Sequence, residues 1–455
     1  MKELLLISGL GVLSLFAGLF NLRKGFLVLV IIGLAANIGL SIADWGSNEV
    51  VYGMMQLDNF ALSFNIVFSF LSILWFIAAR EYFELDNNFS DHYALVLFSL
   101  CGGLVLVSFT NMVMLFLGIE ILSIPMFVLV GSHKTKLSSN EAAFKYFLLG
   151  AFATAFLLFG ITLIYGSTGS FNNAAIAAYL SNHPLPPMAF VGMLMMMTAM
   201  AFKVSAAPFH FWAPDVYQGA PTTITTFMAT VVKTVAFAAF FRLFKTTFVS
   251  MEQSYQIAFA IIATFTLLIA NITASIQTNV KRMLAYSSIS HAGFMMIALL
   301  CMRSHTEGTL LFYTLVYSIS SLGAFTILDI VSKNTDGRED LDGFKGLLRR
   351  NRTLAGILAF AMLSMSGIPP LAGFMAKYMV FVAAVNNGYL WVAVVGIIAS
   401  LIAVYYYFKV IIAMFGNESE YPAFKLNPVQ TFVIFVTAIG MIALSIFPGA
   451  IIGLI

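Results

Sequence analysis

Met195–Phe241 reads MMMTAMAFKVSAAPFHFWAPDVYQGAPTTITTFMATVVKTVAFAAFF, and the fold of the chain turns on it. The stretch opens as an uninterrupted apolar helix and then carries Lys203 where hydrocarbon should continue. Shortly after it, Pro208 breaks the helical ladder, because proline has no N–H and its ring clashes with the preceding turn. Pro214, Gly219 and Pro221 prolong the irregular segment before a second apolar helix, which carries Lys233 near its middle. An ammonium at the bilayer centre costs at least ~2.5–3.5 kcal/mol on insertion scales. Two such residues beside a broken helix point to an ion or proton path.

The surrounding chain supports a membrane reading. Of its 455 residues 60% are apolar and only 9% charged, and the mean hydropathy is +0.95. Soluble domains average about 25% charged residues, so this is an all-α polytopic membrane protein. The net charge of +3 is small and its basic residues sit in short loops, with no nucleic-acid-binding patch. Cys101 and Cys301 fall in apolar helices and offer neither a disulfide framework nor metal spacing. The sequence holds no glycine-rich nucleotide loop, haem pattern or iron–sulfur cysteine cluster, so no cofactor is expected in this chain. The first apolar segment lacks a basic leader region and cleavage site and reads as a retained helix.

Spanning takes roughly 20 apolar residues per helix, and the punctuation gives about fourteen spans. They cover roughly 4–21, 25–43, 58–80, 92–110, 111–131 and 141–166. An uncharged loop, 167–186, leads to the broken span seven. Spans eight to eleven cover about 222–246, 255–277, 282–302 and 307–332. The charged loop from Lys333 to Arg352 precedes span twelve, about 353–386, which is broken by Gly367, Pro369 and Pro370 and then carries Lys377. Spans at about 389–415 and 428–454 finish the chain.

Alternating sides through these spans gathers Arg23, Lys24, Arg80, Lys134, Lys136, Lys281, Arg282, the 333–352 loop and Lys425 on one face. The other face keeps Lys2, Arg242, Lys245 and Arg303. The positive-inside rule makes the first face cytoplasmic and puts both termini outside. Spans four to eight and nine to thirteen are each five helices long, hence of opposite orientation. In each set the fourth helix is broken by proline beside a lysine. Inverted repeats with broken helices are a transporter signature. The expected organisation is thus an N-terminal segment 1–91, repeats 92–246 and 247–415, and a C-terminal helix 416–455.

Five groups carry the candidate chemistry. Glu120 lies mid-depth in span five and must pair, protonate or line water; Lys203 is an available partner, and a single interhelical hydrogen bond from a protonated carboxyl is the alternative. At ~4 Å and an effective dielectric near 20 such a pair gains about 4 kcal/mol, comparable to its desolvation penalty. Lys203 and Lys377 flank the two breaks, where backbone dipoles and water become accessible. Lys233 sits mid-helix with no acid within a turn, either as a relay group or as a solvated lysine that sets the potential. His291 shares a polar stripe with Ser287, Ser288 and Ser290; a proton relay through both ring nitrogens and a satisfied structural histidine stand level. His210 is similarly open. Lys145 and Lys409, near helix ends, read as structural; Asp215 as a support of the irregular segment; Asp329 as a partner for a loop cation.

FKVSAAPFHFWAPDVYQGAP (202–221), NVKRMLAYSSISHAG (279–293) and SGIPPLAGFMAKY (366–378) resemble the antiporter-like membrane subunits of respiratory complex I. The three motifs occur in order and the resemblance spans nearly the whole chain. Within that family it is most like the subunit N branch: the chain ends soon after span fourteen, without a long lateral helix, and has Lys377 where another branch carries a glutamate. The resemblance places the family's glutamate on Glu120, its two lysines on Lys203 and Lys233, and its histidine on His291. It implies a proton-translocating subunit of NADH:quinone oxidoreductase in a bacterial inner membrane, beside a neighbouring antiporter-like subunit and small membrane subunits. NADH, FMN, iron–sulfur clusters and quinone would then belong to partner subunits. A subunit of a cation/proton antiporter or membrane-bound hydrogenase is the alternative.

Overall fold

A computed structural model describes residues 1–20, 23–85, 88–302, 306–416 and 421–455. Arg303, assigned above to the sparsely charged face, lies outside them. Twelve described helices are long and apolar enough to cross a bilayer. Three shorter apolar helices, Pro187–Lys203, Arg352–Ser366 and Ala372–Asn386, stand where the sequence reads its two broken spans. The chain divides into two compact units, one of Met1–Ser205, Val231–Phe259 and Leu454–Ile455, the other of Ala206–Thr230 and Ala260–Gly453.

In the first unit, Asn59–Ala78 and Phe89–Ser108 form the interior, while Lys2–Leu19, Gly25–Ala43 and Leu137–Thr168 are largely exposed. The exposed faces are apolar: Phe144, Phe147, Phe152 and Phe159 all point outward from Leu137–Thr168. In water that would be a liability; against lipid it is the expected surface. Where hydrocarbon lies on both sides, helices associate through close packing rather than solvent exclusion. Gly160 and Gly192 show this: a Cβ on Gly192 would sit 2.9 Å from the Gly160 carbonyl, and the reverse contact would be 2.8 Å.

Two local features correct the sequence reading. Glu49–Val51 and Met55–Leu57 pair as a small antiparallel hairpin, with Val50 opposite Gln56, so the fold is helical but not wholly so. Its turn uses left-handed backbone at Tyr52 and Gly53. The uncharged 167–186 loop contains a helix, Asn173–Asn182, capped by the Asn172 side chain, which accepts from Ala175 N–H at 3.1 Å. Ten residues are too few to span a bilayer, so this helix leaves no span-length apolar run in the sequence.

The second unit is built around Glu307–Lys333, a helix whose apolar window is wholly buried. Thr222–Phe227, Val280–Leu300, Arg352–Ser366, Ala372–Asn386 and Pro428–Ile446 pack on it. Arg352–Ser366 ends at Gly367, whose φ of +86° is the left-handed turn that stops a helix without Cβ strain. The chain re-enters a helix at Ala372, so close to the preceding one that a Cβ on Gly373 would fall 1.7 Å from the Ser364 carbonyl. The charged 333–352 loop is itself ordered. Asp340 caps Leu341–Phe344, and Lys345, 2.8 Å from Asp342, holds that carboxyl below its usual range through their hydrogen bond and opposite charges. Arg350 closes the loop by donating to the Gly343 and Asn334 carbonyls at 2.9 and 3.2 Å.

Candidate functional site

Glu120 lies within Met112–Val130, a helix opened by Asn111 accepting from Val113 N–H and carrying Pro125 in its interior. It is half-buried, and its Oε1 accepts from the Thr154 hydroxyl at 2.7 Å. Lys203 is the last residue of Pro187–Lys203, where the helix's unsatisfied carbonyls favour a cation. Its side chain is buried, and Nζ donates to Ser123 Oγ at 2.5 Å. Ser123 donates its own proton to the Ile119 carbonyl one turn back, so its lone pairs face the ammonium. Among the described residues Glu120 and Lys203 form no direct salt bridge, although the Glu120 charge acts on Lys203. Each charge is met by a hydroxyl instead. Ser123, Thr154 and Lys203 together line a cavity of about 20 Å³, walled by Phe127, Tyr146 and Leu157. That is room for about one water.

Lys233 belongs to the same unit and is 3% exposed. It follows Met228–Val232, a π-helical turn. Such single-turn widenings of an α-helix are rare and gather at functional positions. No proline or glycine between Thr222 and Thr246 marks the widening in the sequence.

His291, in the second unit, is buried and held at both ring nitrogens. Nδ1 lies 3.0 Å from the Tyr313 hydroxyl and Nε2 3.4 Å from that of Tyr407, with the Tyr317 ring packed at 4.8 Å. Tyr407 also bonds Ser287. Ser290 accepts from Asn271 at 2.7 Å, and Asn271 in turn accepts from Tyr406 at 3.1 Å. The serine stripe is therefore one wall of a hydroxyl-rich cage, and its tyrosines and Asn271 were passed over in the sequence. The adjacent tyrosines 406–407 inside an apolar span were the signal available. Lys377 is also buried. Its Nζ reaches back across the helix break to the Ser366 carbonyl at 2.8 Å and sits 4.7 Å above the Phe294 ring. The break frees a carbonyl and the lysine occupies it.

The remaining ionic residues hold structure. Lys145 pairs with Glu141 at 2.7 Å on an exposed face, Asp329 with Lys333 at 2.8 Å, and Asp215 with Arg282 at 2.8 Å. Lys409 donates to the Gln277 carbonyl at 3.1 Å. Arg242, counted above on the sparsely charged face, is buried. Its guanidinium takes Asp58 at 2.8 and 3.0 Å and the Phe109 and Val107 carbonyls at 3.0 and 2.9 Å. Lys281 is buried likewise, between Glu339 at 3.1 Å and the Ala220 carbonyl at 2.8 Å. His210 is buried with Nδ1 unpartnered. Among the described residues no three His, Cys, Asp or Glu side chains gather to hold a metal ion.

Residues 109–403 match the family NADH:quinone oxidoreductase/Mrp antiporter, TM. The chain is 42% identical to NADH-quinone oxidoreductase subunit N of Cytophaga hutchinsonii, over 99% of this chain and 97% of that one. Its fold is similar to a chain of respiratory complex I from Thermus thermophilus, with a TM-score of 0.86 and 31% identity over 99% and 98% of the two chains. A chain of the Mrp complex from Dietzia has the same fold, with a TM-score of 0.89 at 18% identity, covering 100% of this chain and 96% of that one.

Proposed function

Since the chain belongs to the NADH:quinone oxidoreductase/Mrp antiporter transmembrane family, we propose that it is the proton-translocating subunit N of an NADH:quinone oxidoreductase. In this reading it carries no redox centre. NADH, FMN, iron–sulfur clusters and quinone are handled by partner subunits, and this chain couples their electron transfer to proton movement. It sits in a bacterial inner membrane, crosses it fourteen times, ten of the crossings forming two inverted five-helix repeats, and leaves both termini outside. A neighbouring antiporter-like subunit and small membrane subunits flank it.

The observation that carries this reading is Lys203: a buried ammonium at a helix end, held by a hydroxyl beside a water-sized cavity and not in a direct salt bridge. A cation in that setting gives up and regains a proton at lower cost than one locked in a salt bridge. Glu120 lies on the helix that supplies Ser123 and biases the charge state of Lys203 through its own. Glu120, Lys203 and Lys233 handle the proton in the first unit, and His291 and Lys377 in the second. His291, bonded at both nitrogens, is suited to accept on one and donate from the other. Lys377 has the helix-break carbonyl to hold its protonated form.

NADH-driven pumping in vesicles, normalised to assembled complex, tests this. Lys203→Ala and Lys203→Arg should both lower it strongly with assembly intact, because guanidinium stays protonated at any working pH. Wild-type pumping by both variants would leave the lysine a structural role. The shared fold makes a cation/proton antiporter or hydrogenase subunit the second reading. Copurification decides between them, since only the redox enzyme travels with NADH-oxidising flavoprotein and quinone-reactive iron–sulfur subunits.

A further inference from the structure

Two hydroxyls in the first unit carry no proton in the relay as stated, yet each touches one of its charged groups. Thr154, on Leu137–Thr168, donates to Glu120 at 2.7 Å. Ser123 accepts from Lys203 at 2.5 Å while its own proton is committed to the Ile119 carbonyl. Their polarities are matched to the charges they meet, a donor facing the carboxylate and a lone pair facing the ammonium. Both line the same water-sized cavity as Lys203. Ser123 is three residues from Glu120 on one helix, which places the two side chains on a common face. A carboxylate and an ammonium so near each other would otherwise be drawn into a direct pair, and a pair sealed in a low-dielectric interior holds its proton fixed.

We propose that Thr154 and Ser123 are positioning residues for proton transfer. Thr154 holds the Glu120 carboxylate and Ser123 the Lys203 ammonium, so that the two charges stay apart while both hydroxyls and Lys203 border the water-sized cavity. Glu120 then biases the charge state of Lys203 without pairing with it, and the hydroxyls compete with ion-pair collapse. This rests on the reading of Glu120 and Lys203 given above. Neither hydroxyl forms or breaks a covalent bond.

The test measures protons pumped per NADH oxidised in vesicles, normalised to assembled complex. Thr154→Val keeps the shape and deletes the donor, and pumping should fall about tenfold, the scale of one lost charge-assisted hydrogen bond. Thr154→Ser restores the donor and should recover most of it, which a packing role for the γ-methyl would not allow. Ser123→Ala should fall similarly. Glu120→Asp withdraws the carboxylate by one methylene from Thr154, so the double variant Glu120→Asp/Thr154→Val should pump no less than Glu120→Asp alone. Wild-type pumping by Thr154→Val, failure of Thr154→Ser to rescue, or an equal loss on top of Glu120→Asp each overturns the proposal. Should Thr154→Val not assemble, Thr154→Ala carries the same comparison. Wild-type pumping by Glu120→Gln instead removes the underlying role of Glu120, a separate outcome.

Discussion

Gly373→Ala is the smallest change that should disable the second unit. The added Cβ would lie 1.7 Å from the Ser364 carbonyl oxygen, a backbone atom held in its own helix. Real contacts of this kind do not fall below 3.0 Å, so Arg352–Ser366 and Ala372–Asn386 must separate by about 1.3 Å locally. Lys377 reaches between these two helices to the Ser366 carbonyl at 2.8 Å. If the separation is transmitted in full, that distance grows to about 4.1 Å, beyond any hydrogen bond. Losing a bond from a charged donor costs about 1.5–3 kcal/mol, and the forced expansion adds roughly 1–3 kcal/mol of overpacking. Gly356→Ala, on the facing helix Arg352–Ser366 with nothing within 4 Å of its Cβ, is the control. The assay is NADH-driven pumping and thermal inactivation of the assembled complex in vesicles. Gly373→Ala should lose pumping by about tenfold or more and inactivate at lower temperature, and Gly356→Ala should match wild type. A Gly373→Ala complex as active and stable as wild type would refute the argument that this contact sets the Lys377 geometry.

Arg242→Met should destabilise the first unit by about 3–5 kcal/mol, since it strands Asp58 and two backbone carbonyls at a partly buried site; thermal inactivation and limited proteolysis near the 49–57 hairpin report it, with Asp58→Asn milder. Single cysteines in the 333–352 loop should resist an impermeant label in intact cells and react in inverted vesicles, and labelling from outside would reverse the assigned orientation. Lys409→Ala should keep pumping within about twofold, because it loses one neutral-acceptor hydrogen bond near a helix end; a loss as deep as that of Lys203→Ala would move Lys409 into the relay.

The apolar runs and their spacing were enough to read a helical membrane protein, because a span of ~20 apolar residues has few other uses. Pro208, Pro369 and Pro370 marked the helix breaks for a reason local to proline itself, and a buried lysine beside each break stood out because charge in hydrocarbon is rare. Three long motifs then carried the family. What the sequence could not fix was which side chain meets which. Glu120 and Lys203 looked like a pair on charge alone, but Thr154 and Ser123, ordinary residues in apolar helices, stand at each of them. Arg242 read only as one cation on the sparsely charged face, and its partners, a hairpin carbonyl, a helix cap and two further carbonyls, came from tertiary packing. The tyrosines around His291 come from two helices distant in sequence from it and from each other. Hydrophobic period and proline position are encoded within a few residues of chain. Hydrogen-bond partnership depends on helix rotation and close approach, and those are set by packing among residues far apart in sequence, such as Gly160 against Gly192.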